Sequence, residues 1–255
     1  MLLIASAMTG YSIEATDGIL GTVKDFLFDD RTWMLKWLVV DTGNWLTERK
    51  VLLHPSSIQK TDHERNAIVV DLTKVQVHGS LPIGRDEPVS MQMETHLYDY
   101  YGWDPYWGNS YFAAGAIASP LSVPPFFSSA AMAAPAPANA VEDKGNPNLR
   151  SMSEVVGYTI HATDGVIGHV ESFMIDDASW NIRYLVVDTV NWWPGKHVLM
   201  SPFAVRDVKW IDRQVWLDAD RAKVRSSPNW DPLDFIDQNF EKDLHRHYGW
   251  AAYGF

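Results

Sequence analysis

The sequence predicts a mainly β protein: two tandem small antiparallel barrels, each followed by an amphipathic helix and joined by a linker rich in proline and alanine. Three observations predict it. The chain repeats itself without a gap, each repeat is built of short apolar runs bounded by turn signals, and a stretch of different composition separates the two. Gly10-Tyr11-Ser12-Ile13-Glu14-Ala15-Thr16-Asp17-Gly18 returns as Gly157-Tyr158-Thr159-Ile160-His161-Ala162-Thr163-Asp164-Gly165, 147 residues later, and Tyr101-Gly102-Trp103 returns as Tyr248-Gly249-Trp250 at the same offset. Between those limits 31 of 94 pairs are identical. The expected boundaries are barrels at 1–80 and 149–227, trailing helices at 86–103 and 231–250, and a linker at 104–148.

Each element follows from its own pattern. Met1–Met8 is apolar but only eight residues long, with no basic residue ahead of it, so it reads as a lead-in to the first strand. Ala-Thr-Asp-Gly is a hairpin signal, because glycine accepts positive φ and Asp-Gly suits a tight turn. It joins a short strand near Tyr11–Glu14 to a longer one, Ile19 to Asp29. On the longer strand Ile19, Gly21 and Val23 share one parity, and Phe26 and Phe28 the other. The second copy slips at the same place, between Val170 and Phe173. A slip of one residue predicts a β-bulge near Lys24-Asp25 and Glu171-Ser172. Leu35–Thr42 is apolar on both faces after Lys36, so both faces must be covered, one by the barrel interior and the other by a helix or the sister barrel. Short strands near Val51–Leu53 and Ala67–Asp71 complete the unit.

Asp231, followed by Pro232, predicts the start of the second trailing helix, with Leu233, Ile236, Phe240, Leu244 and Tyr248 at helical spacing. Val89, Met93, Leu97 and Tyr101 hold the matching places in the first copy. Such a stripe is a packing face, expected to cover the outer strand. From Pro105 to Val141 there is no charged residue, and prolines at 120, 124, 125, 135 and 137 break every stretch long enough to span a bilayer. The linker reads as semi-extended chain, or as a sticky segment covering an apolar groove through Tyr111, Phe112, Phe126 and Phe127.

Composition narrows the function classes. With 21 Lys+Arg against 32 Asp+Glu the net charge is −11, which disfavours nucleic acid as a partner. Zero cysteines exclude disulfides, thiolate nucleophiles and cysteine-based zinc sites. Gly-x-Ser-x-Gly, the Gly-Lys phosphate loop, Gly-x-Gly-x-x-Gly and His-Glu-x-x-His are all missing, so no enzymatic activity and no cofactor are expected. The pairs Asp29-Asp30 and Asp176-Asp177 read as polar turns, Asp41 and Asp188 as strand-end caps, and no metal site is assigned. His245 and His247 lie about 200° apart on a helix, cannot chelate one ion, and read as solvated cations at a helix end. No signal peptide or spanning segment is visible, so a cytoplasmic location is expected; peripheral attachment to a membrane is compatible with it.

The residues assembled so far resemble the PRC-barrel family, the small barrel named after the photosynthetic reaction centre. The resemblance rests on Gly10-Tyr11, Asp17-Gly18-x-x-Gly21-x-Val23, Phe26–Asp29, Trp33, Leu38–Thr42 and Val51-Leu52-Leu53-x-Pro55, repeated as Gly157-Tyr158, Asp164-Gly165-x-x-Gly168-x-Val170, Leu185–Thr189 and Val198-Leu199-Met200-x-Pro202. It covers about 1–80 and 149–227 and implies the fold and a protein-docking module. The family's two known settings carry a membrane-spanning helix or a different barrel ahead of this unit, whereas here the unit opens the sequence, so their partners do not carry over.

The composition's anomaly is its 12 Trp and 10 Tyr. Trp45, Trp192 and Trp193 fall in predicted loops, and Tyr106 and Trp107 follow the first helix. Exposed aromatics anchor protein interfaces, and they equally plug the ends of small barrels. Together with Phe126 and Phe127 these residues are the interaction candidates for an unidentified protein partner. The alternative is a small-ligand module whose loop aromatics bind a glycan or a lipid headgroup. The two barrels are expected to pair as an intramolecular pseudo-dimer, because each carries an apolar outer strand face.

Overall fold

The computed structural model describes residues 1–46, 50–79, 91–102, 147–189, 196–231 and 236–251. The first repeat contains β1 (Leu2–Ile4), α1 (Ala5–Met8), β2 (Ser12–Ala15), β3 (Gly18–Asp29), β4 (Met34–Asp41), β5 (Lys50–Leu53), β6 (Ile58–Asp62), β7 (Ala67–Val70) and α2 (Lys74–Gly79). The second contains β8 (Leu149–Ser151), α4 (Met152–Val155), β9 (Thr159–Ala162), β10 (Gly165–Asp176), β11 (Ile182–Asp188), β12 (His197–Met200), β13 (Val205–Lys209), β14 (Gln214–Leu217), α5 (Arg221–Arg225) and α6 (Gln238–Tyr248). A separate unit, 86–147, contains α3 (Met91–Tyr101).

Each repeat is one curled sheet. The order is β5-β4-β3-β2-β7-β6 in the first and β12-β11-β10-β9-β14-β13 in the second. The end strands of each sheet are consecutive in the chain and joined by one short 3-10 turn, Pro55–Ser57 or Pro202–Ala204, which holds the sheet's two ends near each other. Pairing is antiparallel except for β2·β7 and β9·β14, which are parallel because the chain crosses over before returning beside its first strand. β6 and β13 were not evident in the sequence; their exposed polar residues carry little alternation.

The bulges fall where the parity slips: pairing steps from Val23 to Asp25 in one repeat and from Val170 to Ser172 in the other. Glycine makes the neighbouring bend possible. A Cβ on Gly21 would lie 2.1 Å from the Asp41 carbonyl oxygen, and one on Gly168 would lie 1.9 Å from that of Asp188. Asp17 and Asp164 do more than turn a hairpin, since each accepts the backbone N–H that opens the following helix, from Lys74 at 2.9 Å and Arg221 at 2.8 Å. The strand apolar on both faces is buried on both: Trp37, Leu38 and Val40, and likewise Tyr184, Leu185, Val186 and Val187.

In the second repeat α6 covers the outer face. Leu244, with Phe240 and Tyr248 alongside, packs on Met174, Tyr184, Val186, Leu199 and Trp230. The helix starts later than Asp231: Asp237 is its N-cap, accepting the Phe240 N–H at 2.7 Å, while Trp230 forms a strand-like bridge with His197. Leu233 and Val89 lie outside the described residues.

Candidate functional site

The first eight residues do not lead into their own barrel's first strand. β1 pairs antiparallel with β10 of the second repeat, Leu2 opposite Asp176 and Ile4 opposite Met174. β8 pairs with β3 of the first repeat in the equivalent register, Leu149 opposite Asp29 and Ser151 opposite Leu27. The repeats have exchanged their opening segments. Further backbone bonds cross the seam: Leu35 N–H donates to the Trp180 carbonyl at 2.9 Å and Ile182 N–H to the Trp33 carbonyl at 2.8 Å. Trp33 and Trp180 have φ of 57° and 54°, unusual for a bulky residue. In that conformation their carbonyls reach the opposite repeat, and the Trp33 ring stacks on Phe28. Phe28 meets Phe173 of the sister repeat at 5.6 Å between ring centres. The two repeats therefore meet through exchanged backbone rather than through their outer strand faces. In the second repeat a helix covers the outer strand face, and exchanged backbone makes the seam.

A cleft of about 200 Å³ lies on the seam, lined by Phe26, Phe173, Ala5, Met152 and Val156 among others. The bulge residues cap the neighbouring short helices crosswise. Asp25 of the first repeat accepts from Ser153 N–H (3.1 Å), Ser153 Oγ (2.9 Å) and Ser151 Oγ (2.5 Å) of the second. Ser172 of the second repeat meets Ser6 of the first, accepting its N–H at 3.2 Å, with the two hydroxyls 2.9 Å apart.

The acidic pairs are turns. Asp29 Oδ1 accepts from Arg31 N–H, Thr32 N–H and Thr32 Oγ1 at 3.0, 2.9 and 3.0 Å, and Asp176 accepts from Ala178 N–H and Ser179 Oγ. Asp41 accepts the Gly43 N–H at 2.9 Å. Among the described residues no cluster of His, Asp or Glu is arranged to hold a metal ion.

His245 is not a solvated helix-end cation. It is 5% exposed, with Nδ1 2.6 Å from the Ala251 carbonyl and Nε2 2.9 Å from the Tyr184 hydroxyl. The carbonyl only accepts, so Nδ1 carries the proton. The single hydroxyl proton of Tyr184 is directed to Glu241 Oε1 at 2.9 Å, which Arg183 meets at 3.0 Å, and Arg183 reaches Asp176 at 3.3 Å. Burial holds His245 below its ordinary pKa, while the Ala251 carbonyl and the Glu241 carboxylate oppose that and Arg183 adds to it. Glu241 and His245 are four residues apart on the face that carries Leu244, and that spacing was the signal in the sequence.

Of the interaction candidates, Trp45 sits in the 3-10 turn Gly43–Leu46, whose Gly43 is exposed and whose Leu46 is buried. Trp192, Trp193, Tyr106, Trp107, Phe126 and Phe127 lie outside the described residues. The structure adds an aromatic position the sequence reading passed over. Trp216 stacks on His161 at 4.4 Å, with Lys209 Nζ 5.0 Å from its ring centre. The first repeat has Val69 and Glu14 there.

The family model of the PRC-barrel domain matches residues 5–77. That match runs from α1 into α2 of the first repeat. The second repeat lies outside that match and has the same strand order, bulge and crossover. No curated protein matches the chain. A PRC-barrel domain is in general a non-catalytic scaffold or interaction module. No helix among the described residues is long and apolar enough to cross a membrane.

Proposed function

We propose that the protein is a non-catalytic docking module, cytoplasmic in setting, that binds another protein through aromatic side chains of its loops and linker. The observation that carries this reading is the PRC-barrel match over residues 5–77. The turn at Gly43–Leu46 supports it: anchored by a buried Leu46 and by the Asp41–Gly43 bond, it gives Trp45 a fixed backbone from which to bind. Trp192 is its counterpart in the second repeat, and Trp193, Tyr106, Trp107, Phe126 and Phe127 extend the aromatic set.

The test compares intact protein with Trp45→Ala/Trp192→Ala by affinity capture from the native host and mass spectrometry. The expected result is a stoichiometric partner captured by the intact chain and depleted at least tenfold by the variant, at an unchanged thermal midpoint. A folded variant that keeps every partner overturns the assignment. Saturable stabilisation by a glycan or lipid headgroup, with no protein captured, replaces it with the small-ligand reading.

A further inference from the structure

The second repeat carries a cationic face that the first lacks. The strand order β9-β14-β13 sets His161, Trp216 and the cations of β13 side by side. His161 stacks on one side of the indole, inclined by 11° at 4.4 Å, while Lys209 Nζ and the Arg206 guanidinium lie 5.0 and 5.8 Å from the indole centre. Both cationic residues are exposed, and among the described residues neither forms an ion pair. Asp207 stands opposite Trp216 in register and pairs with neither. At the matching positions the first repeat has Glu14, Val69, Gln59 and Asp62 for His161, Trp216, Arg206 and Lys209. There Glu14 pairs with Arg65, and Asp62 with Lys60 at 3.4 Å. Charges are answered within the first repeat and left over in the second.

The arrangement also says what kind of anion fits. The indole has the imidazole on one side and the cations on the other, so it offers no bare face for a sugar ring to stack on, and His161 Nε2 is shielded from water. A bilayer is a poor match, because attraction to an anionic surface grows with the number of cations. Residues 205–214 hold Arg206, Lys209 and Arg213 against Asp207 and Asp212, in a chain of net charge −11. Asp207, set among the cations, repels a dense polyanion and leaves room for carboxylates placed one at a time along a peptide.

We propose that this face of the second repeat docks an acidic segment of a partner protein, whose carboxylates meet Arg206 and Lys209 held against Trp216. The inference does not rest on the loop aromatics, all of which its test leaves in place.

The test titrates a rhodamine-labelled Glu-Thr repeat peptide with the full chain at about 50 mM salt, read by fluorescence anisotropy. The intact chain is expected to bind it, more weakly as salt rises, and to ignore the Gln-Thr analogue. Arg206→Gln/Lys209→Gln is expected to weaken binding about tenfold or more at an unchanged thermal midpoint, since both side chains are exposed. Trp216→Val, which supplies the first repeat's residue and keeps both cations, is expected to weaken it about threefold. Equal binding by intact chain and the double variant, or no binding up to about 1 mM, overturns the proposal. Phosphatidylserine vesicles bound in place of the peptide, and lost with the same double variant, overturn it in favour of a membrane surface.

Discussion

The two repeats solve one problem with different parts. In each, an aromatic residue at the same strand position, Trp37 or Tyr184, is fully buried on the outer face of the strand apolar on both sides. Each is met edge-on by a histidine from a different element. His54, at 5.5 Å from Trp37, comes from the end of β5, where its Nδ1 accepts the Ser56 N–H and caps the 3-10 turn. His245, at 6.0 Å from Tyr184, comes from α6, and Ser201 takes over the turn cap. The backbone was duplicated with bulge, crossover and caps intact, while side chains on the covered faces diverged. Backbone geometry constrains the sequence more tightly than the identity of the groups that fill a face.

The largest expected effect falls where the repeats agree. Gly21→Ala and Gly168→Ala each drive a Cβ into a backbone carbonyl that has no room to move, because both strands are paired there. Each substitution is expected to cost about 3 kcal/mol or more, or to abolish folding, as read by urea denaturation. A loss below about 1 kcal/mol at either site would show that the bend is not fixed as described.

A smaller effect concerns the histidines. Burial, aided by Lys36, pulls His54 down to about 4, and burial pulls His245 down as well. Both groups bind protons more tightly in the unfolded chain, so stability is full above the unfolded histidine pKa and is lost as pH falls through that value toward the folded one. For His54 this amounts to about 2 kcal/mol at pH 5. Denaturation midpoints at pH 7.5 and pH 5 should show the loss, and His54→Gln should reduce it. Stability unchanged or higher at pH 5 would contradict the burial of both rings.

Much of the fold was legible because it is local. Hairpin, bulge and buried strand are each set by side-chain parity or by glycine within a dozen residues, and the duplication displayed each signal twice. The strand exchange was not legible. Leu2–Ile4 is three residues long, too short for a period, and its partners lie about 170 residues away. Nothing in an apolar octapeptide says which sheet edge it will join. The polar cluster on α6 was misread because charged residues near a helix end usually face water, whereas Glu241 and His245 sit on the packed face beside Leu244. Of the candidate docking residues only the Trp45 backbone falls within the described structure.

The exchange is the centre of this account, and the cysteine-free sequence makes it directly testable. The bond from Asp177 N–H to the Met1 carbonyl makes 1/177 a hydrogen-bonded pair, and Ile4/Met174, three steps along, falls at a narrow, non-hydrogen-bonded position suited to a disulfide. Full-length Ile4→Cys/Met174→Cys is therefore expected to oxidise quantitatively to an intramolecular disulfide, seen as a monomeric mass with no free thiol. Two free thiols after oxidation, or only disulfide-linked dimers, would contradict the exchanged strand.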